Sequence, residues 1–290
     1  AVQTVAVCLS IVGCSWFIIH FFRMAPSRRK RLFPRQLLSL AVADLLQGLL
    51  GLVYSLLAFP QIGHAIDLQA CTLLYGVFRT VRMVSVLQEM HIALVFLAEC
   101  LRALRVAHVL AWGIVPLWII GVAVAVPELF YIHVRRDTNN HCIVQGTDFV
   151  DFSLMVAAAG LALLANVAVF LLSLSAPWGV QRSVMRRAML YPLNFLVSYL
   201  MLIITYAVPS LWLSPFWKYT AGTLQALSGL LNSVTYWINS VYFRTSCSFA
   251  PGDLQNDPRS VLDFNLMFGG VEVVEVADEA HRARVQSEHE

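Results

Sequence analysis

The segment VQTVAVCLSIVGCSWFIIHFF (2–22) decides the fold, because it holds no Lys, Arg, Asp or Glu and has the length that a helix needs to cross a bilayer core. The basic segment MAPSRRKRLFPRQ (24–36) follows it, and LLSLAVADLLQGLLGLVYSLLAF (37–59) is a second apolar stretch. Five more stretches follow, at 72–97, 109–131, 150–174, 188–212 and 219–238. Continuous apolar runs of this length predict helices, which satisfy their own backbone inside a membrane. The sequence therefore predicts an all-α integral membrane bundle of seven transmembrane helices.

The composition supports a membrane protein. Of the 290 residues, 59% are apolar and 13% are charged, whereas a soluble domain carries about 25% charged residues. This excludes a soluble enzyme, a secreted disulfide scaffold and a nucleic-acid-binding protein, so we expect no catalytic activity, no cofactor and no nucleic-acid partner. The two lysines are Lys30, in a loop, and Lys218, at the edge of the seventh stretch. Neither can form a Schiff base inside that helix, which excludes a retinal protein.

The distribution of Lys and Arg predicts the orientation in the membrane. The first, third and fifth loops and the start of the tail hold twelve of these residues, and the opposite loops hold three. Because basic loops stay in the cytoplasm, we expect the N-terminus outside and the chain in the plasma membrane. Residues 1–244 form the predicted membrane domain, with a short juxtamembrane helix from about 239. Residues 245–290 form a cytoplasmic tail with 9 acidic and 3 basic residues.

Two cysteines fall on the predicted outer side. Cys71 precedes the third stretch, and Cys142 lies in the second outer loop. Both would face an oxidising compartment, where disulfides persist. We therefore expect a structural disulfide between Cys71 and Cys142.

Three polar side chains lie at comparable depth in the second and seventh stretches: Asp44, Asn232 and Tyr236. An ionisable group near the middle of a membrane costs about 2.5–3.5 kcal/mol on insertion scales, so it requires a compensating interaction. A carboxylate and an amide at matching depth can share water or a sodium ion. The alternative is a protonated Asp44 hydrogen-bonded to a neighbouring helix. Either interpretation places these groups inside the bundle, as an intramembrane polar switch.

The third stretch is the most polar. Arg79 and Arg82 are three residues apart and Glu89 is seven beyond Arg82, so the three share a helix face. Two guanidiniums near the outer opening suit a carboxylate or phosphate, and Tyr206 and Trp212 lie near the same level in the sixth stretch. These five residues are the predicted ligand-binding set. The alternative is that the arginines pair internally with acidic side chains of the protein.

The seventh stretch carries a family resemblance. The segment LNSVTYWINSVYFR (231–244) resembles the Asn-Pro-x-x-Tyr motif and following Phe-Arg of G-protein-coupled receptors, with Ser233 in place of proline. Asp44 matches the acid that this family carries in its second helix. MLYPLNF (189–195) and LSGLLNSVTYWIN (227–239) resemble the cyclic-AMP-receptor-like branch. The third helix ends in AECLRALR (98–105), without Asp-Arg-Tyr, and the sixth has no Cys-Trp-x-Pro.

The resemblance implies a receptor that transduces an extracellular, small and anionic ligand signal to a cytoplasmic heterotrimeric G protein. The expected G-protein contacts are basic residues of the inner loops, and their alternative role is contact with membrane lipid. They are Arg102, Arg105, Arg182, Arg186 and Arg187. Two other functions stay open: a small-solute transporter or channel that uses the charged third helix, and a receptor-like scaffold that has lost G-protein coupling.

Overall fold

A computed structural model of the chain describes most of residues 2–247. The described ranges are 2–29, 32–57, 68–101, 103–131, 133–136, 142–145, 149–174, 178–208, 210–211 and 214–247. Residues 248–290 of the predicted tail, Trp212 and Arg102 lie outside the described residues.

The described part of the chain is helical apart from one short hairpin. Its α-helices run in the order α1 Val2–Arg23, α2 Pro26–Arg29, α3 Leu32–Leu57, α4 Leu68–Cys100, α5 Leu104–Ala111, α6 Ile114–Tyr131, α7 Phe149–Leu174, α8 Trp178–Ala207, α9 Pro215–Ala226 and α10 Ser228–Cys247. Strands β1 His133–Arg136 and β2 Cys142–Gln145 pair antiparallel between α6 and α7, with His133 opposite Gln145.

Within the described residues, each predicted apolar stretch lies mainly on α-helix, the stretch predicted at 188–212 leaves its helix after Ala207, and two other stretches are divided. The stretch predicted at 109–131 divides at Trp112 and Gly113, between α5 and α6. The stretch predicted at 219–238 divides at Leu227, whose backbone N–H is shared between the carbonyls of Thr223 and Leu224. Shared bonds of this kind are common at helix ends. The helix expected from about 239 is not separate, because α10 continues to Cys247.

The helices pack around α4. In the described part of the chain, α4 lies against α3, α6, α7 and α8, and α1 lies against α3, α9 and α10. One apolar core, which includes Met83, Met155 and Phe195, joins α4 to α7 and α8. A second core, which includes Phe17, Leu40 and Phe96, joins α1, α3 and α4. Within the most apolar part of each helix, 78% of α4 is buried, against 39% of α1.

The distribution of side chains is that of a membrane protein. Large apolar residues of α1, such as Val5, Val12 and Ile19, are exposed, whereas Asp44, Arg79 and Arg82 are buried. Lipid solvates apolar side chains, and polar ones must find partners inside the bundle. Four described helical segments are long and apolar enough to cross a membrane: Val2–Arg23, Leu32–Val53, Gln69–Ala98 and Phe152–Leu172. Two shorter apolar segments are Ile114–Val124 and Leu193–Thr205.

Polar side chains fix the junction between α5 and α6 against α4. Gln36 Nε2 lies 3.0 Å from His91 Nδ1, and His91 Nε2 lies 2.8 Å from the carbonyl oxygen of Leu110, at the end of α5. Because the amide nitrogen donates to Nδ1, the proton of the neutral ring lies on Nε2 and is donated to that carbonyl. Gly113 permits the approach, since a Cβ there would lie 2.9 Å from His91 Nε2.

We expect His91→Leu to lower the free energy of unfolding by about 1–3 kcal/mol, because it leaves buried polar groups of Gln36 and Leu110 without their partner. Thermal unfolding of the purified protein in detergent measures the change. His108→Leu is the matched control, since His108 is exposed on α5 and its replacement should change stability by less than about 0.5 kcal/mol. Equal losses in both variants would contradict the role assigned to His91.

Candidate functional site

Asp44 and Asn232 meet inside the bundle, as the sequence predicts. Asn232 Nδ2 donates to Asp44 Oδ2 at 3.1 Å and to Glu89 Oε1 at 3.1 Å, so one amide bridges two carboxyl groups. Ser85 Oγ donates to Asp44 Oδ1 at 2.6 Å, and the hydroxyl of Ser228 is a further partner of Asp44. These bonds join α3, α4 and α10 at one level.

The hydrogen bonds continue onto α8. Asn194 Nδ2 donates to Thr235 Oγ1 at 2.6 Å and lies 3.4 Å from Asn232 Oδ1. The hydroxyl of Tyr199 lies 3.4 Å from Ser85 Oγ. We call this set the intramembrane polar cluster; its members are Asp44, Ser85, Glu89, Asn194, Tyr199, Asn232 and Thr235. Because a buried polar group that loses its partner is costly, the cluster holds four helices in one relative arrangement.

Close packing at a glycine brings α10 to Asp44. A Cβ at Gly229 would clash with Cys14 Sγ and lie 2.5 Å from Ser10 Oγ and 3.0 Å from Asp44 Cβ. At Gly13, on the facing side of α1, a Cβ would lie 3.2 Å from the Cα of Leu230. Ser233, which stands where the resembled motif has proline, donates to the carbonyl of Gly229 at 2.7 Å. The helix therefore runs unbroken past the cluster.

Tyr236 occupies a different environment from Asp44 and Asn232. Its ring packs edge-on against Phe17 with the centroids 4.6 Å apart, and its hydroxyl lies 3.6 Å from Met24 Sδ. The ring of His20 is 6.0 Å away. These contacts are with α1 and the residue just beyond it, about one turn below the cluster. The sequence places Tyr236 with Asp44 because the two residues lie at a similar depth in their helices. Depth alone does not specify the direction in which a side chain points.

Arg79 and Arg82 are buried in the first half of α4, with exposed fractions of 2% and 6%. Arg79 Nε donates to the hydroxyl of Tyr75 at 2.9 Å, and its guanidinium lies 5.1 Å from the centre of that ring. A cation over an aromatic face is attracted by the ring. Glu89, predicted with these arginines, contributes one carboxylate oxygen to Asn232.

The remaining predicted residues are placed in part. Tyr206 lies in the last turn of α8, though its side chain is outside the described set, as are the side chains of Arg182, Arg186 and Arg187 in the same helix. Arg105 is exposed on α5. Cys71 is buried and is disulfide-bonded, whereas Cys8, Cys14 and Cys100 form no disulfide in the described part of the chain. The side chain of Cys142 is not described, so its pairing with Cys71 stays a prediction. Strand β1 of the same hairpin lies against α4.

Several cluster residues were not predicted from the sequence. Ser85, Asn194, Tyr199 and Thr235 are single polar residues within apolar helices. Their side chains are buried, and each contacts a residue on another helix. Two features of the sequence could have identified these residues. One is the depth of each polar residue in its helix relative to Asp44, and the other is the YPLNF segment (191–195), which contains Asn194.

The comparisons with known proteins leave the chain without an assigned family: no protein-family model matches it, and no curated protein is significantly similar to it.

Proposed function

We propose that this protein is a plasma-membrane receptor of seven transmembrane helices, which passes an extracellular signal to a cytoplasmic heterotrimeric G protein. The observation that carries the proposal is the intramembrane polar cluster, whose hydrogen bonds join α3, α4, α8 and α10. The hydrogen bonds of such a cluster form in one packing of the helices. In a different packing, the same side chains must bond to other partners. A receptor needs two packings of this kind, and a ligand that binds one of them better shifts the balance between them.

In this proposal the ligand binds at Arg79 and Arg82, and the sequence adds Tyr206 and Trp212 as further predicted contacts. Both arginines are buried on α4, which also carries Ser85 and Glu89 of the cluster. One helix therefore connects the ligand-binding region to the cluster, since Ser85 lies about one turn and Glu89 about two turns beyond Arg82. An anion near the guanidiniums forms charge-assisted hydrogen bonds, and the resemblance makes a cyclic nucleotide the first ligand to test.

The proposed topology has the N-terminus outside and the acidic tail, 245–290, in the cytoplasm. A disulfide between Cys71 and Cys142 then fixes the β1–β2 hairpin over the outer end of α4. On the inner side, the basic residues of the loops, with Arg186 and Arg187 foremost, contact the G protein or anionic lipid. Epitope tags at both termini of intact cells test the orientation: only the N-terminal tag should stain.

We expect Arg82→Ala to reduce cyclic-AMP-dependent nucleotide exchange on a co-expressed G protein by about tenfold or more, since one charge-assisted hydrogen bond contributes about 1.5–3 kcal/mol. The measurement is nucleotide exchange in membranes. The control is Lys218→Ala, which removes an exposed cation on α9 and should leave exchange unchanged.

Reversal of Arg186 and Arg187 to Glu should abolish exchange while cyclic-AMP binding remains. If cyclic AMP binds neither the wild type nor any variant, this ligand is wrong.

A small-solute transporter or channel is the second candidate. The buried arginines Arg79 and Arg82 and the half-buried Glu89 on the same helix favour it, because charges inside membrane helices also mark solute pathways. Reconstituted in liposomes, a transporter would carry a solute or current that Arg82→Ala abolishes. A receptor would carry none.

A further inference from the structure

A polar cavity beside Asp44 lies between α1, α3 and the α9–α10 junction. Its volume is about 60 Å³. Because one water-sized group needs roughly 10–15 Å³ in this measure, the cavity holds a molecule of a few heavy atoms. Its polar lining consists of Gln3, Ser10, Asp44, Gln47, Gln225 and Ser228.

Two buried amides in this cavity have unused hydrogen-bonding groups. Gln47 is 7% exposed and Gln225 is 8% exposed. In the described part of the chain, Gln47 Oε1 and Gln225 Nε2 have no hydrogen-bond partner. A buried polar group without a partner costs about 1–3 kcal/mol, so an occupant that bonds to both amides recovers this energy. Gln47 Oε1 is the acceptor of this pair and Gln225 Nε2 is the donor.

The charge in the cavity specifies the occupant further. Among the described residues that line the cavity, Asp44 is the only ionisable one, and its hydrogen-bond partners Ser85, Asn232 and Ser228 are all neutral. Each carboxylate oxygen has more than one lone pair, so Asp44 can accept further hydrogen bonds. The complementary group is a cation with several N–H donors. Gln3, at the other end of the lining, is exposed, so the cavity opens toward the end of α1 that carries this residue.

We propose that this cavity binds a small primary amine that also carries a neutral acceptor oxygen, such as an amino alcohol. The ammonium donates to Asp44 and to Gln47 Oε1, and the hydroxyl oxygen accepts from Gln225 Nε2. This site takes a cation, whereas the buried arginines of α4 suit an anion. The proposal does not depend on coupling to a G protein, since binding alone is measured.

The experiment measures binding of ethanolamine hydrochloride to the purified wild-type protein in detergent, by calorimetry and by thermal shift. Sodium chloride and choline chloride at equal ionic strength are the comparison ions, because sodium and the quaternary ammonium of choline have no N–H donors. We expect saturable binding of ethanolamine and a thermal shift that neither comparison ion gives. An equal shift with sodium or choline, or no binding of ethanolamine, would overturn the proposal.

Gln47→Leu tests the site itself. The variant should raise the Kd for ethanolamine about tenfold, because the acceptor oxygen Gln47 Oε1 is absent. It should not lower the unfolding temperature of the unliganded protein, because the substitution also removes a buried oxygen that has no partner. Gly160→Ala on α7, where nothing lies within 4 Å of the added Cβ, is the control and should bind as the wild type does. Gln225→Leu is the second variant and should also weaken binding. Unchanged binding in both glutamine variants overturns the proposal even if wild-type protein binds ethanolamine.

Discussion

Gly229→Val is expected to destabilise the protein by about 3 kcal/mol or more, the upper part of the range for overpacking a buried site. Even the first added carbon would meet Cys14, Ser10 and Asp44 on two neighbouring helices. To accept the side chain, α10 must move away from α1 and α3, and the bond between Asn232 and Asp44 would lengthen. The fraction of monomeric protein after gel filtration and the unfolding temperature in detergent both measure this loss.

The control for this prediction is Gly160→Val. Gly160 is also a helical glycine, but no atom lies within 4 Å of a Cβ built there. Since valine has a slightly better helix propensity than glycine, the unfolding temperature should stay the same or rise slightly. A similar loss in both variants would mean that the effect comes from the helix backbone and not from the contact between α10 and its neighbours.

Asn232→Leu is expected to cost about 3 kcal/mol or more, because a buried acceptor left without its donor costs about 1–3 kcal/mol, and more when the acceptor is charged. The variant deletes the donor that serves Asp44 Oδ2 and Glu89 Oε1 together. Asn166→Leu is the control, because in the described part of the chain Asn166 Nδ2 donates to the carbonyl of Ala162 in its own helix, at 2.7 Å, and to no other helix. That change should cost about 1 kcal/mol or less.

A second substitution separates lost hydrogen bonding from poor packing in the Asn232→Leu variant. Adding Asp44→Asn replaces a carboxyl group by a neutral amide, which tolerates the loss of a donor better. We expect the double variant to recover part of the lost unfolding temperature. If Asp44→Asn lowers the temperature by the same amount in both backgrounds, Asp44 and Asn232 are not coupled, and the cluster does not act as described.

The helices and the membrane environment could be predicted from the sequence because both depend on local properties. A run such as 2–22 is apolar over its whole length, and no tertiary contact is needed to make it helical in lipid. The meeting of Asp44 with Asn232 was also predictable, since two costly polar groups at one depth have few other partners. Tyr236 shows the limit of that reasoning, because it lies at a similar depth and packs against Phe17 on α1.

The sequence by itself determined that this chain forms long apolar helices with costly polar groups inside them. Only the tertiary structure decided which of these groups meet: Asn232 bridges Asp44 and Glu89, and His91 contacts Gln36 and the end of α5. It also decided that Gln47 and Gln225 lie beside one cavity. The physical reason is that hydropathy is a property of neighbours along the chain. Hydrogen bonds between helices depend on helix rotation and on close approach at residues such as Gly229, which packing of the whole bundle sets.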